Sequence, residues 1–240
     1  MGMRLLLVFL VLVGWLGLAA PSTAAATDSE LHFPTPSRPV ASIVSPIWHS
    51  EDERDAANEV PQAVKLLDIE PGMTVADIGA GSGYYVTRLA PLLGPSGHVI
   101  AEDITPLYLS ALRVKVAAQH LANVEVITGD PEDPKLPPHS ADRIILVHMY
   151  HEIAQPFALL YNLAGVLKPG AKIGIVDATR PIVEHGTPPA LLKCEVESLG
   201  YIETGFHPLE GSPAYLAIFE LPPGAAPRLP DRACPNGPAK

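Results

Sequence analysis

The sequence has few cysteines, no excess of positive charge and only one long apolar run. Its two cysteines, Cys194 and Cys234, form no CxxC pair and no zinc-finger spacing, which excludes a cysteine-based zinc motif. The formal net charge is -10, so no basic field attracts a phosphate backbone, and we expect no nucleic-acid partner. The sequence leaves open whether the two cysteines pair or remain free thiols.

The one long apolar run extends from Leu5 to Ala20, after Arg4 and before the small residues that end at Ala26. A basic start, an apolar stretch and small residues are typical of a secretory signal peptide, so we expect cleavage after Ala26 and an exported, periplasmic or secreted protein. An uncleaved N-terminal anchor and a mis-assigned start codon, which would leave the protein cytoplasmic, stay open. A membrane is expected as a partner only through this segment.

Proline is abundant at both ends of the chain. There are 27 prolines in 240 residues, roughly twice the ordinary usage of about 5%; five lie between Pro21 and Pro46 and six between Pro222 and Pro238. We therefore predict a signal peptide over 1–26, a proline-rich extension or lid over 27–55, a folded domain over 56–221 and a disordered tail over 222–240. The sequence does not indicate the oligomeric state.

Strand and helix patterns alternate through the centre of the chain. This alternation predicts an α/β domain with a Rossmann-like, doubly wound sheet that is mostly parallel and ends in an antiparallel hairpin, seven strands in all. Thr105 and Pro106 predict the N-cap and first residue of one helix. The predicted strands cover 73–78, 98–103, 124–128, 143–148, 172–177, 201–206 and 214–219, and the predicted helices cover 57–67, 84–93, 106–120, 156–167 and 190–199.

The most informative stretch is VADIGAGSGYY, from Val75 to Tyr85. Glycines at alternate positions after a strand allow a sharp turn and a close approach to a ligand. A nicotinamide-binding G-x-G-x-x-G loop would need its third glycine at position 84, which is Tyr84. Asp77, two residues before the first glycine, suits a ligand that carries an ammonium group.

These residues resemble the class I S-adenosylmethionine-dependent methyltransferases, in an exported bacterial-type branch. The resemblance implies S-adenosylmethionine as cofactor, with Asp103 at the ribose hydroxyls, Asp130 at the adenine amino group and Asp77 at the methionine ammonium. Pro131 departs from the family because it has no N–H to offer the adenine ring, and Glu102 is expected to point away from Asp103. The residues assigned to the cofactor are Asp77, Gly79, Ala80, Gly81, Ser82, Gly83, Tyr84, Asp103, Ile104, Asp130, Pro131 and His148.

The segment after the fourth strand reads His148-Met-Tyr150-His151-Glu152. Ligands of open α/β sheets bind at the carboxyl ends of the strands, so this segment faces the transferred group. Imidazole is a suitable base near neutral pH, and we predict His148 and His151 as catalytic residues with Tyr150 and Glu152 as orienting residues. A purely structural histidine stays an alternative. These side chains could also hold a metal, but we assign none.

Two further segments are candidates at the same site. Arg180, in the loop after the fifth strand, could recognise an anionic acceptor or remain a solvated charge. Trp48 and Arg54 are predicted to close the pocket as a lid.

The function predicted is S-adenosylmethionine-dependent, in-line methyl transfer to a small-molecule or lipid-like acceptor. The alternative is an exported, non-catalytic protein that uses the same pocket for a nucleoside-like ligand. The acceptor itself is not identified by the sequence.

Overall fold

The computed structural model describes residues 1–2, 31–43 and 50–235 of the 240-residue chain. The chain divides into two units, Met1–Leu31 and His32–Lys240, and the fold described below is that of the second. The predicted signal peptide, apart from residues 1–2, and Trp48 lie outside the described residues. Among the helices of the described ranges, none combines the length and the apolar character needed to cross a bilayer.

The second unit is built on one seven-stranded sheet with strand order β3-β2-β1-β4-β5-β7-β6. β1 to β5 pair in parallel, β7 pairs antiparallel with β5, and β6 pairs antiparallel with β7. The strands are β1 (Thr74–Ile78), β2 (His98–Asp103), β3 (Val124–Thr128), β4 (Ala141–Val147), β5 (Leu167–Ala178), β6 (Ile202–Pro208) and β7 (Ala214–Glu220). The predicted Rossmann-like fold with its C-terminal antiparallel hairpin is confirmed.

Six α-helices connect or flank these strands in the described part of the chain. They are α1 (Glu51–Ala56), α2 (Glu59–Leu66), α3 (Tyr84–Leu93), α4 (Pro106–Ala118), α5 (Pro156–Val166) and α6 (Pro189–Ser198), with 3₁₀ turns at Tyr150–Glu152 and Ile182–Glu184. The helix predicted from residue 57 is thus preceded by a separate helix, α1. Asn58 divides them, because its left-handed backbone (φ 53°) cannot continue a right-handed helix.

Two local predictions differ from the structure. β5 begins at Leu167 rather than Lys172, because Leu167 pairs with Ala141 of β4 before a register shift and the main run of pairs from Lys172. Thr105 does stand before α4, but its side chain makes no capping hydrogen bond. Its backbone N–H instead donates to Oδ1 of Asp103 at 2.7 Å, which helps to orient that carboxylate.

Apolar side chains cover both faces of the sheet. Ile144 and Leu146 of β4 belong to a cluster with Phe157 of α5, whereas Ile145 belongs to a cluster with Leu89 of α3. Alternate residues of a strand point to opposite faces, so a strand buried on both sides reads as an unbroken apolar run. This burial fixes the strand ends, and with them the loops in which the site is built.

Both ends of the second unit are attached to the same region of the domain. In the N-terminal strap, which we define as residues 32–43, the N–H of Ala41 donates to the carbonyl of His151 at 3.0 Å. At the other end, a disulfide joins Cys194 of α6 to Cys234. The two meet in one apolar cluster that contains Ala41, Cys234 and Ile182.

The proline-rich tail has no helix or strand in its described part, residues 222–235. It is nevertheless held by the disulfide and by a hydrogen bond from the N–H of Arg228 to the carbonyl of Leu199 at 2.8 Å. These contacts differ from the disordered tail that the prolines predict. Proline removes backbone donors, but it does not prevent a covalent link from ordering the chain.

Candidate active site

A cavity of about 710 Å³ opens at the carboxyl ends of β1, β2 and β4. This is where open α/β sheets bind their ligands. Ten of the twelve residues assigned to the cofactor line it: Gly79, Ala80, Gly81, Ser82, Tyr84, Asp103, Ile104, Asp130, Pro131 and His148. The topology therefore brings most of the predicted cofactor set to one place.

The glycine loop needs two of its glycines for opposite reasons. A Cβ on Gly81 would meet nothing within 4 Å, so this residue faces open space, and its backbone is left-handed with φ at 54°. A Cβ on Gly83 would lie 2.3 Å from a methyl group of Leu112, so that glycine lets α4 pack against the loop. Gly83 shapes the site from behind and does not line the cavity.

Asp103 is held in a fixed orientation at the end of β2. Its Oδ2 accepts a hydrogen bond from the N–H of Gly81 at 2.8 Å, and its Oδ1 accepts from the N–H of Thr105 at 2.7 Å. A carboxylate has about four acceptor sites, so two remain for other donors. The geometry fits the role that the resemblance implies, that of accepting hydrogen bonds from ribose hydroxyls.

Two further carboxyls lie beside Asp103. Burial raises the pKa of Asp77 to about 7, with Asp103 adding to the effect and Arg54 opposing it. Burial likewise raises the pKa of Glu102 to about 8, although the N–H of Gly79 opposes this. The desolvated pair indicates a site that disfavours further negative charge and suits a cationic ligand.

Asp77 and Glu102 do not lie where the sequence predicted. Asp77 is buried and does not line the cavity, because it lies one residue below the end of the strand. Glu102 was expected to point away, yet it lines the cavity. Gly129 explains this difference, because a Cβ there would collide with the Glu102 carboxyl at 1.9 Å.

Asp130 and Pro131 lie at the rim of the cavity after β3. Asp130 is exposed, and its Oδ2 pairs with Nζ of Lys135 at 2.5 Å. An exposed ion pair of this kind contributes little free energy and is easily rearranged. Asp130 is therefore accessible to a ligand at this edge, as the resemblance implies.

His148 stands at the centre of a buried polar group that the sequence did not reveal. Its Nε2 lies 2.8 Å from Oε2 of Glu59, while Oε1 of Glu59 accepts from Nε of Arg54 at 2.9 Å and from the hydroxyl of Tyr85 at 3.1 Å. Burial acts to raise the pKa of Glu59, but the hydrogen bond and charge of His148, together with Arg54, lower it to about 2. Glu59 precedes His148 by 89 residues, and no motif links the two.

Of the other three predicted catalytic residues, the structure brings one to the cavity. Glu152 lines the cavity, but His151 and Tyr150 are buried and do not. Nδ1 of His151 lies 3.0 Å from Oδ1 of Asp177, and the hydroxyl of Tyr150 donates to Oε2 of Glu195 at 2.9 Å. The structure therefore does not bring these two side chains to the cavity, because the 3₁₀ turn after β4 directs them inward.

Arg180 is exposed and does not line the cavity, so the structure does not bring it to the site. The short helix α1 does reach it, through Glu51 and Arg54, as does its N-cap residue Ser50. The guanidinium of Arg54 lies 4.0 Å from the centre of the Tyr84 ring, which places a cation at the cavity wall.

No side chain of α1 is buried, and ion pairs attach the helix to the domain. Asp55 pairs with Arg88 of α3 at 2.6 Å, and Glu51 pairs with Lys115 of α4 at 2.7 Å. Exposed ion pairs contribute little free energy, whereas Arg54 of the same helix also bonds the buried Glu59. The lid stays a prediction, and Trp48 lies outside the described residues.

Comparison with known proteins agrees with this geometry. Residues 75–170 match the family described as "Methyltransferase domain". The chain is 28% identical over 120 residues to a demethylmenaquinone methyltransferase of Listeria monocytogenes, covering 50% of this chain and 51% of that protein. It is 27% identical over 120 residues to the ubiquinone/menaquinone biosynthesis C-methyltransferase UbiE of Coxiella burnetii, covering 50% and 48%.

Among solved structures, a SAM-dependent methyltransferase from Aquifex aeolicus superposes with a TM-score of 0.63 at 24% identity, covering 67% of this chain and 88% of that one. The fold is that of S-adenosylmethionine-dependent methyltransferases, and residues 75–170 match a methyltransferase domain, so fold and sequence both point to a methyltransferase. S-adenosylmethionine is the cofactor of this class. The chain spans about half the length of the curated relatives that it matches.

The residues present fit that cofactor. Gly81 leaves open space beside the fixed carboxylate of Asp103, and Oε1 of Glu102 is buried without a hydrogen-bond partner in the described structure. An unsatisfied buried oxygen next to a cavity indicates a place for a donor from a ligand. A cationic ligand bound beside these carboxyl groups would favour their ionised forms, as a sulfonium and an ammonium group would.

Proposed function

We propose that the protein transfers a methyl group from S-adenosylmethionine to a small acceptor with an apolar ring. One observation carries the proposal, namely that a single cavity joins an acidic, glycine-lined part to an apolar part. The acidic part contains Asp103 and Glu102, and the apolar part is formed by Met149, Ile153 and Leu159. Methyl transfer is an in-line displacement at the methyl carbon. It requires that the cofactor and the acceptor are held in line within one cavity.

The apolar part supports a quinol-like or other lipid-like aromatic acceptor. Most of its side chains follow β4, and Ile43 adds an apolar contact from the strap. By their names, one relative is a demethylmenaquinone methyltransferase and the other is a C-methyltransferase of ubiquinone and menaquinone biosynthesis. A flat apolar ring with one or two hydroxyl groups matches both the lining and those names.

S-adenosylmethionine supplies an electrophilic methyl group when bound. Within the chain, the ionised Glu59 accepts the N–H of His148 Nε2, which leaves a lone pair on Nδ1. That Nδ1 has no hydrogen-bond partner among the described residues, and His148 lines the cavity. We assign the role of proton acceptor from the acceptor hydroxyl to His148, with Glu59 as its positioning residue.

We also propose that the protein works in an oxidising compartment outside the cytoplasm. The disulfide between Cys194 and Cys234 supports this, because such bonds persist mainly in exported proteins. The predicted signal peptide supports it independently. N-terminal sequencing of the protein from fractionated cells tests it, and an intact leader in the cytoplasmic fraction would contradict it.

The cofactor is tested by calorimetric titration of the purified chain with S-adenosylmethionine, S-adenosylhomocysteine and NAD. We expect both sulfur ligands to bind and NAD not to bind. Asp103→Ala should weaken binding about 10- to 100-fold, because it removes charge-assisted hydrogen bonds. Asp231→Ala changes an exposed carboxylate of the tail and is the matched control. Failure of both sulfur ligands to bind would refute the proposed function.

The acceptor is tested by incubating the protein with methyl-labelled cofactor and a panel of aromatic compounds. The panel pairs each quinol with its fully O-methylated form, which lacks the ionisable hydroxyl. We expect label only in the free quinols, and a lower rate for His148→Gln at saturating cofactor. Equal labelling of the blocked compounds would contradict the role of His148.

A further inference from the structure

Three potential metal ligands converge behind the cavity. His151 and Glu152 lie in the 3₁₀ turn after β4, and His185 follows the 3₁₀ turn after β5. One ligand atom from each lies within 4.8 Å of the others, and Nε2 of His151 is 3.9 Å from Oε1 of Glu152. The carboxyl ends of adjacent parallel strands bring these residues together, although 33 positions separate Glu152 from His185 in the sequence.

The tautomer of His151 is set by its other ring nitrogen. Nδ1 lies 3.0 and 3.1 Å from the two oxygens of Asp177. Asp177 also accepts hydrogen bonds from the hydroxyl of Thr187 at 2.6 Å and from the N–H of Ala178 at 2.8 Å. With Asp177 beside Nδ1, Nε2 is the ring nitrogen of His151 that faces Glu152 and is left for a metal. A carboxylate behind a histidine in this way is the usual support of a metal ligand.

The ring of His185 is positioned by its loop. Thr187 returns its N–H to the carbonyl of Ala178 at 2.9 Å, and the hydroxyl of Tyr215 holds the carbonyl of Thr187 at 2.7 Å. Gly186 lets the loop fold back this closely, because a Cβ there would lie 2.5 Å from the Ala178 oxygen. Nδ1 of His185 is buried and has no hydrogen-bond partner among the described residues.

The two imidazole rings have the separation of a shared metal. Their centres are 5.4 Å apart, with the planes at 85°. Two imidazoles bound to one zinc ion at a tetrahedral angle, through bonds of about 2.0–2.1 Å, have centres roughly 5 Å apart. Small side-chain rotations therefore suffice to complete the site.

We propose that His151, Glu152 and His185 bind one divalent transition-metal ion of the zinc class. Two imidazoles and a carboxylate are a typical zinc donor set, and three protein ligands leave a coordination position open. Glu152 also lines the cavity, so a metal bound to it would lie close to the acceptor. This last step rests on the proposed function, whereas metal binding itself does not.

The site differs from the sequence expectation, which assigned no metal and had weighed only a group with His148. His148 is directed to Glu59 and belongs to a separate polar group. His185 was missed because nothing in the sequence relates the loop after β5 to the turn after β4. The signal lies only in the parallel pairing of β4 with β5.

The test uses the purified full chain after treatment with a chelator and removal of the chelator. Zn²⁺ is titrated by calorimetry, and Co²⁺ is titrated by its visible absorption, which reports the ligands directly. We expect one ion per chain. Glu152→Gln and His185→Asn should each weaken binding at least about tenfold, since each removes a direct ligand.

The matched control is His120→Asn. His120 and His185 both have a left-handed backbone, with φ of 54° and 56°, and asparagine tolerates that conformation. His120 is exposed and distant in sequence from the cluster. We expect this variant to bind the metal as the parent chain does, while thermal unfolding of all variants verifies that they fold.

Absence of stoichiometric Zn²⁺ and Co²⁺ binding would overturn the proposal, and so would equal binding by the His185→Asn variant. In either case His151 and Asp177 would serve only to hold the turn. Because the titration contains neither S-adenosylmethionine nor an acceptor, its failure leaves the proposed function untouched. Failure of cofactor binding, in turn, leaves the metal result standing.

Discussion

Replacement of Glu59 by glutamine tests the central polar group of the site. Glu59 accepts hydrogen bonds from Arg54, Tyr85 and His148, and its side chain has no exposed surface. Its pKa falls from the ordinary 4.5 to about 2 in the folded state, since His148 and Arg54 outweigh the opposing effect of burial. The difference corresponds to about 3 kcal/mol of folding free energy at neutral pH.

The sign of the pH dependence follows from the lowered pKa. The stabilisation is complete above the unfolded value of 4.5 and is lost as the pH falls toward about 2. Glu59→Gln should therefore be less stable by about 3 kcal/mol at pH 7, and its melting temperature should fall by roughly 6–12 °C. The gap between the two proteins should narrow as the pH falls from 4.5.

Urea unfolding of both proteins at pH 7, 5, 4 and 3 measures this gap. Glu125→Gln is the matched control, because Glu125 faces His98 at 3.5 Å in an exposed pair. It should change stability by no more than about 0.5 kcal/mol. Parallel pH curves for Glu59→Gln and the parent chain, or a difference no larger than that of the control, would refute the reasoning.

Three further predictions concern other parts of the domain. Arg88→Ala removes the ion pair to Asp55, so the affinity for S-adenosylmethionine should fall about two- to fivefold at low salt, and calorimetry at 1 M salt should show no difference. Cys194→Ser removes a disulfide whose ends are 40 residues apart. By the chain-entropy relation, the free energy of unfolding measured in urea should fall by about 4 kcal/mol, and a reduced parent chain of unchanged stability would contradict this. Glu102→Gln should be more stable than the parent chain at pH 8, because a pKa raised to about 8 makes the parent lose stability as the pH rises from 4.5. A difference in unfolding free energy between the two proteins that stays constant from pH 5 to pH 8 would count against this.

The sequence was sufficient for the parts of the fold that local patterns determine. The strands β2 and β3 and the helix α3 begin and end where predicted, because the apolar runs are short and glycines flank each element. The glycine loop and Asp103 could be placed for the same reason. Their role depends on residues within one strand–turn–helix unit and on the next strand.

The sequence was not sufficient where side chains meet across long separations. Glu59 lies on a helix before the first strand, and only the folded sheet brings it to His148. His151 was misplaced because a 3₁₀ turn has no hydrophobic period that tells which side chains face inward. Glu102 was misplaced because its direction depends on the missing side chain of Gly129.

The link between Cys194 and Cys234 encloses the whole antiparallel hairpin of β6 and β7. A protease that cuts the exposed turn near Glu210 would therefore produce two fragments that stay covalently joined until the disulfide is reduced. β7 would stay paired with β5 across the nick. The disulfide and the strand pairing thus both keep the hairpin of β6 and β7 in place after such a cut.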